Sequence, residues 1–308
     1  MKKVITIALV LVCCFAAFAN GSKETASSAS SSAKTVVKVG VCGANNLQWQ
    51  AVQKVLDEEN AGIYIELVEF SAYTLPNEAL NIGDIDLNSF QHVAFLNNEI
   101  AKQGYNITPI GDTLIAPLSL YSRKCGSLDE LKAKAASSKS ALKIGVPNDA
   151  TNQGRAIKLL ETAGLITVDP AAGFTPETKD ITSYVSNIEV VPTDANTLPT
   201  LIDDFAACCI NGTYAVPAGL VPSRDALIIE SQSEGTANPF VNIIAARTAD
   251  KDNPVYKKVV DAFHSQLVAE FILEAYKEAF YPTFEYDPNY TVSANFVEEI
   301  TSYKSSKN

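Results

Sequence analysis

Across 308 residues the chain carries 24 Lys and Arg against 35 Asp and Glu, a formal charge of −11. So acidic a chain, with no Lys/Arg cluster, is a poor partner for nucleic acid or an anionic membrane surface. No Cys-x-x-Cys or Cys/His cluster points to zinc, and Gly-x-Ser-x-Gly, His-Glu-x-x-His and Gly-x-Gly-x-x-Gly are all absent, so no metal, cofactor or enzyme motif is expected.

Residues 1–19 read as an export signal. Lys2 and Lys3 precede the apolar run Val4 to Phe15, and Ala17-Phe18-Ala19 offers a cleavage site before Asn20. The run is too short to anchor in a bilayer. Cys13 or Cys14, following Leu11-Val12, gives a competing point of lipid attachment. Either way the protein is exported, periplasmic or lipid-anchored at the cell envelope. Residues 20–34, small and polar, read as a flexible tether. Loss of Lys2 and Lys3 with no acidic residue takes the charge from −11 to −13. The remaining ~270 residues exceed one comfortable core, so two lobes are expected. Cys42, Cys125, Cys208 and Cys209 remain and read as buried free thiols.

Strand-like and helix-like segments alternate. Val36 to Val41 is a β-branched run, and Leu47 to Glu59 puts Val52, Val55 and Leu56 on one helical face. Ile63 to Phe70 alternates as a strand. Pro76 opens a helix that Gly83 ends. Asp84 to Leu87 reads as a brief strand, with Asn88 or Ser89 capping the next helix. Strands follow at Ile107–Ile110 and Ile115–Ser122. Ser127-Leu128-Asp129-Glu130 is a capping box for a helix to about Ala136. Leu142 to Val146 reads as a buried strand and Arg155 to Ala163 as a helix. Ile188–Val191, Ala206–Ile210, Ala226–Glu230 and Phe240–Ala246 read as strands. Asn253 to Phe280 supplies one or two long helices, and the tail from Tyr281 has no assigned role. The alternation argues for α/β lobes.

Three segments could carry chemistry. In the first, Tyr73 to Phe95, helical geometry puts Phe90, Val93, Leu96 and Ile100 on one stripe, with His92 and Phe95 off it and about 60° apart. With Tyr73 these two could line a cleft, or form an ordinary exposed flank. The second is Val146 to Arg155, joining a buried strand to a helix, where ligands of open α/β sheets bind. Free N–H groups at the helix start and Arg155 in its first turn suit a carboxylate, although Asn and Thr could simply cap the helix. The third joins Asn211-Gly212-Thr213-Tyr214 to Asn242, an amide within an apolar strand that needs a partner.

At these residues the chain resembles the NlpA/MetQ family of substrate-binding proteins, which serve ABC importers for methionine and related compounds. The resemblance runs from Lys38-Val39-Gly40-Val41 to the C-terminal helix. It is densest at Leu75-Pro76-Asn77-Glu78-Ala79-Leu80, Gly83-Asp84-Ile85-Asp86, Phe90-Gln91-His92, Val146-Pro147-Asn148-Asp149, Thr151-Asn152, Gly154-Arg155 and Val241-Asn242. It implies a type II periplasmic-binding-protein fold of two α/β lobes, each a mixed sheet flanked by helices, with ligand in the cleft between them. Residues 35–114 and 239–308 would form lobe one and residues 115–238 lobe two.

The resemblance also implies a ligand set of Tyr73, Phe90, His92, Phe95, Asn152, Arg155, Asn211 and Asn242. Tyr73, Phe90 and His92 would pack around a thioether chain, Arg155 would pair with a carboxylate, and Asn211 and Asn242 would hold the α-amino and α-carboxyl groups. Phe95 stands where the family usually has a second pocket tyrosine. Thr197-Leu198-Pro199-Thr200 stands where Gln-x-Pro-Arg is common. The implied function is capture of L-methionine, or of a methionine dipeptide or another apolar amino acid, by a monomer that delivers it to an inner-membrane ABC permease. A secreted hydrolase built on His92 and a surface adhesin are the rivals from other classes.

Overall fold

The computed structural model describes residues 33–173, 175–185, 187–231, 238–277 and 279–307. The signal segment, with Cys13 and Cys14, and the tether up to Ser32 lie outside the described residues.

The first lobe is laid down by β1 (Thr35–Cys42), α1 (Gln48–Glu58), β2 (Ile63–Phe70), α2 (Pro76–Ile82), β3 (Leu87–Asn88), α3 (Val93–Gln103) and β4 (Ile107–Asp112). After β5 (Leu114–Ile115) the chain crosses to the second lobe. That lobe comprises β6 (Ser119–Tyr121), α4 (Leu128–Ser137), β7 (Leu142–Pro147), α5 (Ala150–Thr162), the hairpin β8 (Ile166–Val168) and β9 (Ile181–Tyr184), β10 (Ile188–Thr193), β11 (Ala207–Ile210), α6 (Gly212–Ala215), α7 (Pro222–Asp225) and β12 (Ala226–Ile229). The chain then returns through β13 (Ile243–Arg247), α8 (Pro254–Phe263), α9 (Gln266–Tyr276), β14 (Tyr281–Pro282) and α10 (Phe296–Thr301).

Each lobe holds a mixed five-stranded sheet, in the orders β2-β1-β3-β13-β4 and β10-β7-β11-β6-β12. β1 runs parallel to β2 and β3, while the returning β13 is antiparallel to β3 and β4. In the second sheet β7 is parallel to β10 and β11, and β6 is antiparallel to β11 and β12. Fully buried β-branched residues fill these strands, as strands covered on both faces require: Val39 and Val41 in β1, Ile144 and Val146 in β7. Trp49, Phe263 and Phe271 build the core of the first lobe; Leu120, Leu131, Ile157 and Leu160 build that of the second. All four described cysteines are buried and free.

Several boundaries differ from expectation for identifiable reasons. The apolar run Ile115–Ser122 is not one strand: β5 and β6 belong to different sheets, separated by Ala116-Pro117-Leu118, because proline has no N–H for a ladder. The brief strand expected at Asp84–Leu87 is Leu87–Asn88. Of the one or two helices expected over Asn253–Phe280 there are two, as the sequence allowed, broken at His264, with Ser265 capping the second through a 3.4 Å bond from the Val268 N–H. The tail is structural: β14 pairs with β5 at the crossing, and Ile300 of α10 is buried in the first core. No helix among the described residues is long and apolar enough to cross a membrane.

Candidate functional site

The parallel strands set the site. β1, β3, β7 and β11 run their carboxyl ends toward one cleft, where open α/β sheets bind ligands. α2 starts at Pro76 and stops at Gly83, whose φ of 89° is the left-handed conformation that glycine accepts without strain. It carries Asn77 into the core, where Asn77, Asn88 and Gln91 bond in a closed ring: Asn77 Nδ2 to Gln91 Oε1 at 2.8 Å, Gln91 Nε2 to Asn88 Oδ1 at 3.0 Å, and Asn88 Nδ2 to Asn77 Oδ1 at 2.9 Å. A satisfied buried amide network is rigid. This one holds the turn Phe90-Gln91-His92 in place.

Asn88 is committed to that network, and Ser89 stands four residues before the first helical residue, Val93, so neither caps α3. His92 does: its Nδ1 accepts the Phe95 N–H at 3.0 Å. The helix therefore starts later than its apolar stripe suggested, and Phe90 precedes it. Phe95, expected off the core stripe, is buried beside Leu96. Since Nδ1 accepts, the ring proton sits on Nε2, 3.3 Å from Asn152 Oδ1. Burial and the nearby Arg155 cation lower the His92 pKa from 6.5 to about 3, so the ring is neutral. Neither nitrogen is free to act as a base.

Tyr73, Phe90 and Phe95 meet edge-on or tilted, with centroids 5.9 to 6.0 Å apart, and pack with Cys42. Tyr73 also lies 4.9 Å from Tyr214 of the second lobe. Burial pushes the Tyr73 and Tyr214 hydroxyls up, so both keep their protons.

From the second lobe, α5 begins at Ala150, five residues before expectation. Asp149 caps it by accepting the Asn152 N–H at 3.0 Å. Arg155 therefore stands in the second turn, not the first, and the helix start is closed by a carboxylate. Arg155 is 4% exposed and already has an acidic partner: Nε and Nη2 donate to Glu230 Oε1 and Oε2 at 3.1 and 2.5 Å. Nη2 also donates to Ala116 O at 3.1 Å, Nη1 to Asn152 Oδ1 at 3.1 Å, and the guanidinium lies 4.6 Å from the Phe240 ring centre. Asn152 Oδ1 thus gathers His92 Nε2, Arg155 Nη1 and, at 2.9 Å, Asn211 Nδ2. Asn211, at the head of α6, keeps a buried Oδ1 without a partner among the described residues. Asn242 lies just before β13, not within the strand, in an isolated bridge with His92.

All eight sequence-selected residues, Tyr73, Phe90, His92, Phe95, Asn152, Arg155, Asn211 and Asn242, line one cavity, together with Gln91, Ala116, Gly212 and Thr213; its empty space, about 340 Å³, includes space open to solvent. Thr197, Leu198, Pro199 and Thr200 do not line it; Leu198 is buried in the second lobe's core. Sequence reasoning missed Gln91, Thr213, Phe240 and Glu230. The signal for Glu230 was a carboxylate closing an apolar strand, which needs a cation. Among the described residues no group of three or more His, Cys, Asp or Glu is placed to hold a metal.

The family model described as NlpA lipoprotein matches residues 37–284. The chain is 40% identical over 237 residues to the D-methionine-binding lipoprotein MetQ of Salmonella typhimurium, covering 76% of this chain and 83% of that protein. It is 35% identical over 277 residues to outer membrane lipoprotein 2 of Mannheimia haemolytica, covering 89% and 96%. Among solved structures, a nutrient-binding protein of Burkholderia cenocepacia bound to methionine superposes with a TM-score of 0.73 at 38% identity, covering 80% of this chain and all of that one. The crystal structure of the methionine-binding protein MetQ gives 0.74 at 35%, covering 81% and 98%. The chain belongs to the NlpA lipoprotein family.

Proposed function

We propose that this protein captures L-methionine, or a close relative, outside the cytoplasmic membrane and delivers it to an ABC importer. The observation that carries the reading is the cavity lining: an aromatic wall of Tyr73, Phe90 and Phe95 faces polar groups suited to a zwitterion. Thioether sulfur packs well against aromatic edges. The unpartnered Asn211 Oδ1 is an acceptor for an ammonium, and Arg155 and Asn242 supply donors for a carboxylate. Relatives named for D-methionine binding, and a methionine-bound neighbour, support the ligand class. Lobe one takes residues 35–114 and 239–308, lobe two takes 115–238, and the two crossings act as a hinge. Ligand stabilises closure by touching both lobes. The protein works as an envelope-anchored or periplasmic monomer that docks on an inner-membrane permease and carries out no covalent chemistry.

One observation favours a second ligand, a methionine-containing dipeptide. A further cavity adjoins the first and shares Phe90, Ala116, Thr213 and Asn242 with it. Native mass spectrometry of the purified protein, before and after partial unfolding, separates the cases. Loss of one methionine mass supports the first reading and loss of a dipeptide mass the second. A released ligand that contains no methionine would overturn both.

A further inference from the structure

The charge balance of the cavity is set by a residue outside its lining. Among the described residues that line it, Arg155 alone carries a formal charge, since His92 is neutral. Four of the five guanidinium N–H groups are taken: Nε–H by Glu230, both on Nη2 by Glu230 and the Ala116 carbonyl, and one on Nη1 by Asn152. One Nη1 hydrogen is left for anything in the cavity. Asp149 lies outside the lining, behind the Asn152 amide to which it is bonded at 3.0 and 3.1 Å.

Glu230 is itself held on both sides. Its Oε2 accepts the Leu118 N–H at 3.0 Å, and its own N–H donates to Leu118 O at 2.8 Å. Leu118 ends the first interlobe crossing and Glu230 begins the second, so this carboxylate cannot swing away from Arg155 without also giving up the Leu118 N–H. Its position is part of the fold.

Resting on the proposed amino-acid ligand, we propose that Glu230 is a specificity-determining residue. By cancelling the Arg155 charge it makes the cavity accept a net-neutral zwitterion and disfavour the same carbon skeleton carrying a net charge. An anion without an ammonium would meet a neutral ion pair and leave the Asn211 oxygen unpartnered; a cation without a carboxylate would meet the same neutral pair and leave the free Arg155 Nη1 hydrogen unpartnered. Removing the Glu230 charge turns the cavity cationic, which favours the anion over the zwitterion.

The test is calorimetric titration of the ligand-free full mature chain with L-methionine, its des-amino analogue 4-(methylthio)butanoate, and methioninamide. Wild type is expected to prefer methionine to both charged analogues. Glu230→Gln keeps the side chain's shape and removes its charge. It should raise the anion-to-methionine affinity ratio on the order of tenfold or more, the scale of one uncancelled charge a few ångströms away. Glu230→Asp, which keeps the charge, should restore the wild-type order even if absolute affinities fall. A Glu230→Gln variant in which all affinities fall by one common factor, or none changes, overturns the inference and leaves methionine binding standing. So does a wild type that binds the anion as tightly as methionine, a result that needs no variant to fold. A wild type that binds no methionine overturns the proposed function and this inference with it.

Discussion

Arg155 holds its guanidinium out of water, a cost offset by the Glu230 carboxylate, the Ala116 carbonyl and the Asn152 amide. Arg155→Ala removes the cavity's cation and strands a half-buried carboxylate. Methionine affinity is expected to fall by about 2–4 kcal/mol in calorimetry; unchanged affinity would remove Arg155 from the ligand set. His92 is held neutral in the fold, and this has a pH consequence. Below pH 6.5 the unfolded histidine takes up a proton, whereas the folded one does so only near 3. In that window the unfolded state binds more protons, so stability drops as pH falls. Thermal melts should lose several degrees between pH 6.5 and 4.5, before most carboxylates titrate. His92→Asn should flatten that slope, and equal slopes would contradict the assignment. The types of these residues were legible in the sequence, but their partners were not. Asn152 and Asn211 meet 59 positions apart, and Arg155 and Glu230 meet 75 apart. Pairings at such distances are set by tertiary packing, which periodicity does not encode.

The helix starts show why boundaries failed where residue types succeeded. Asn88 or Ser89 reads as the cap of α3, yet the buried ring of Asn77, Asn88 and Gln91 takes up Asn88 and the helix begins only at Val93, which leaves the role to His92. Asn77→Ala would leave Gln91 Oε1 buried without a partner and Asn88 Nδ2 with only the 3.5 Å bond to Pro76 O, costing about 1–3 kcal/mol for each group. Urea unfolding should show that loss, and a variant as stable as wild type would mean that the ring does not hold the turn. The loop after β1 makes a second demand. Gly43 has φ of 75°, and a Cβ there would lie 2.7 Å from the Thr213 carbonyl oxygen of the other lobe. Gly43→Ala should therefore hold the lobes apart. Ligand affinity should fall by about 1–3 kcal/mol, and X-ray scattering should show a smaller ligand-induced contraction. Wild-type affinity with full contraction would show that the lobes need not approach here.

The strand–helix alternation made two α/β lobes legible, because parallel strands covered on both faces need helical crossovers. The crossings were less so. Pro117 breaks an apolar run that reads as one strand, and β5 pairs with β14 from a tail whose polar, aromatic sequence has no period to read. That pairing brings Tyr281 and Pro282 to the first crossing, close to Ala116, whose carbonyl receives Arg155. Packing of the tail, the crossing and the cavity floor thus converges on one point. A calorimetric titration of L-methionine into the mature chain, stripped of ligand by unfolding and refolding, addresses that convergence. One site per chain is expected, with a dissociation constant in the micromolar range or tighter, and much weaker binding in Arg155→Ala. A refolded chain with native circular dichroism that gives no heat with methionine, or binds it equally well without Arg155, would contradict the site.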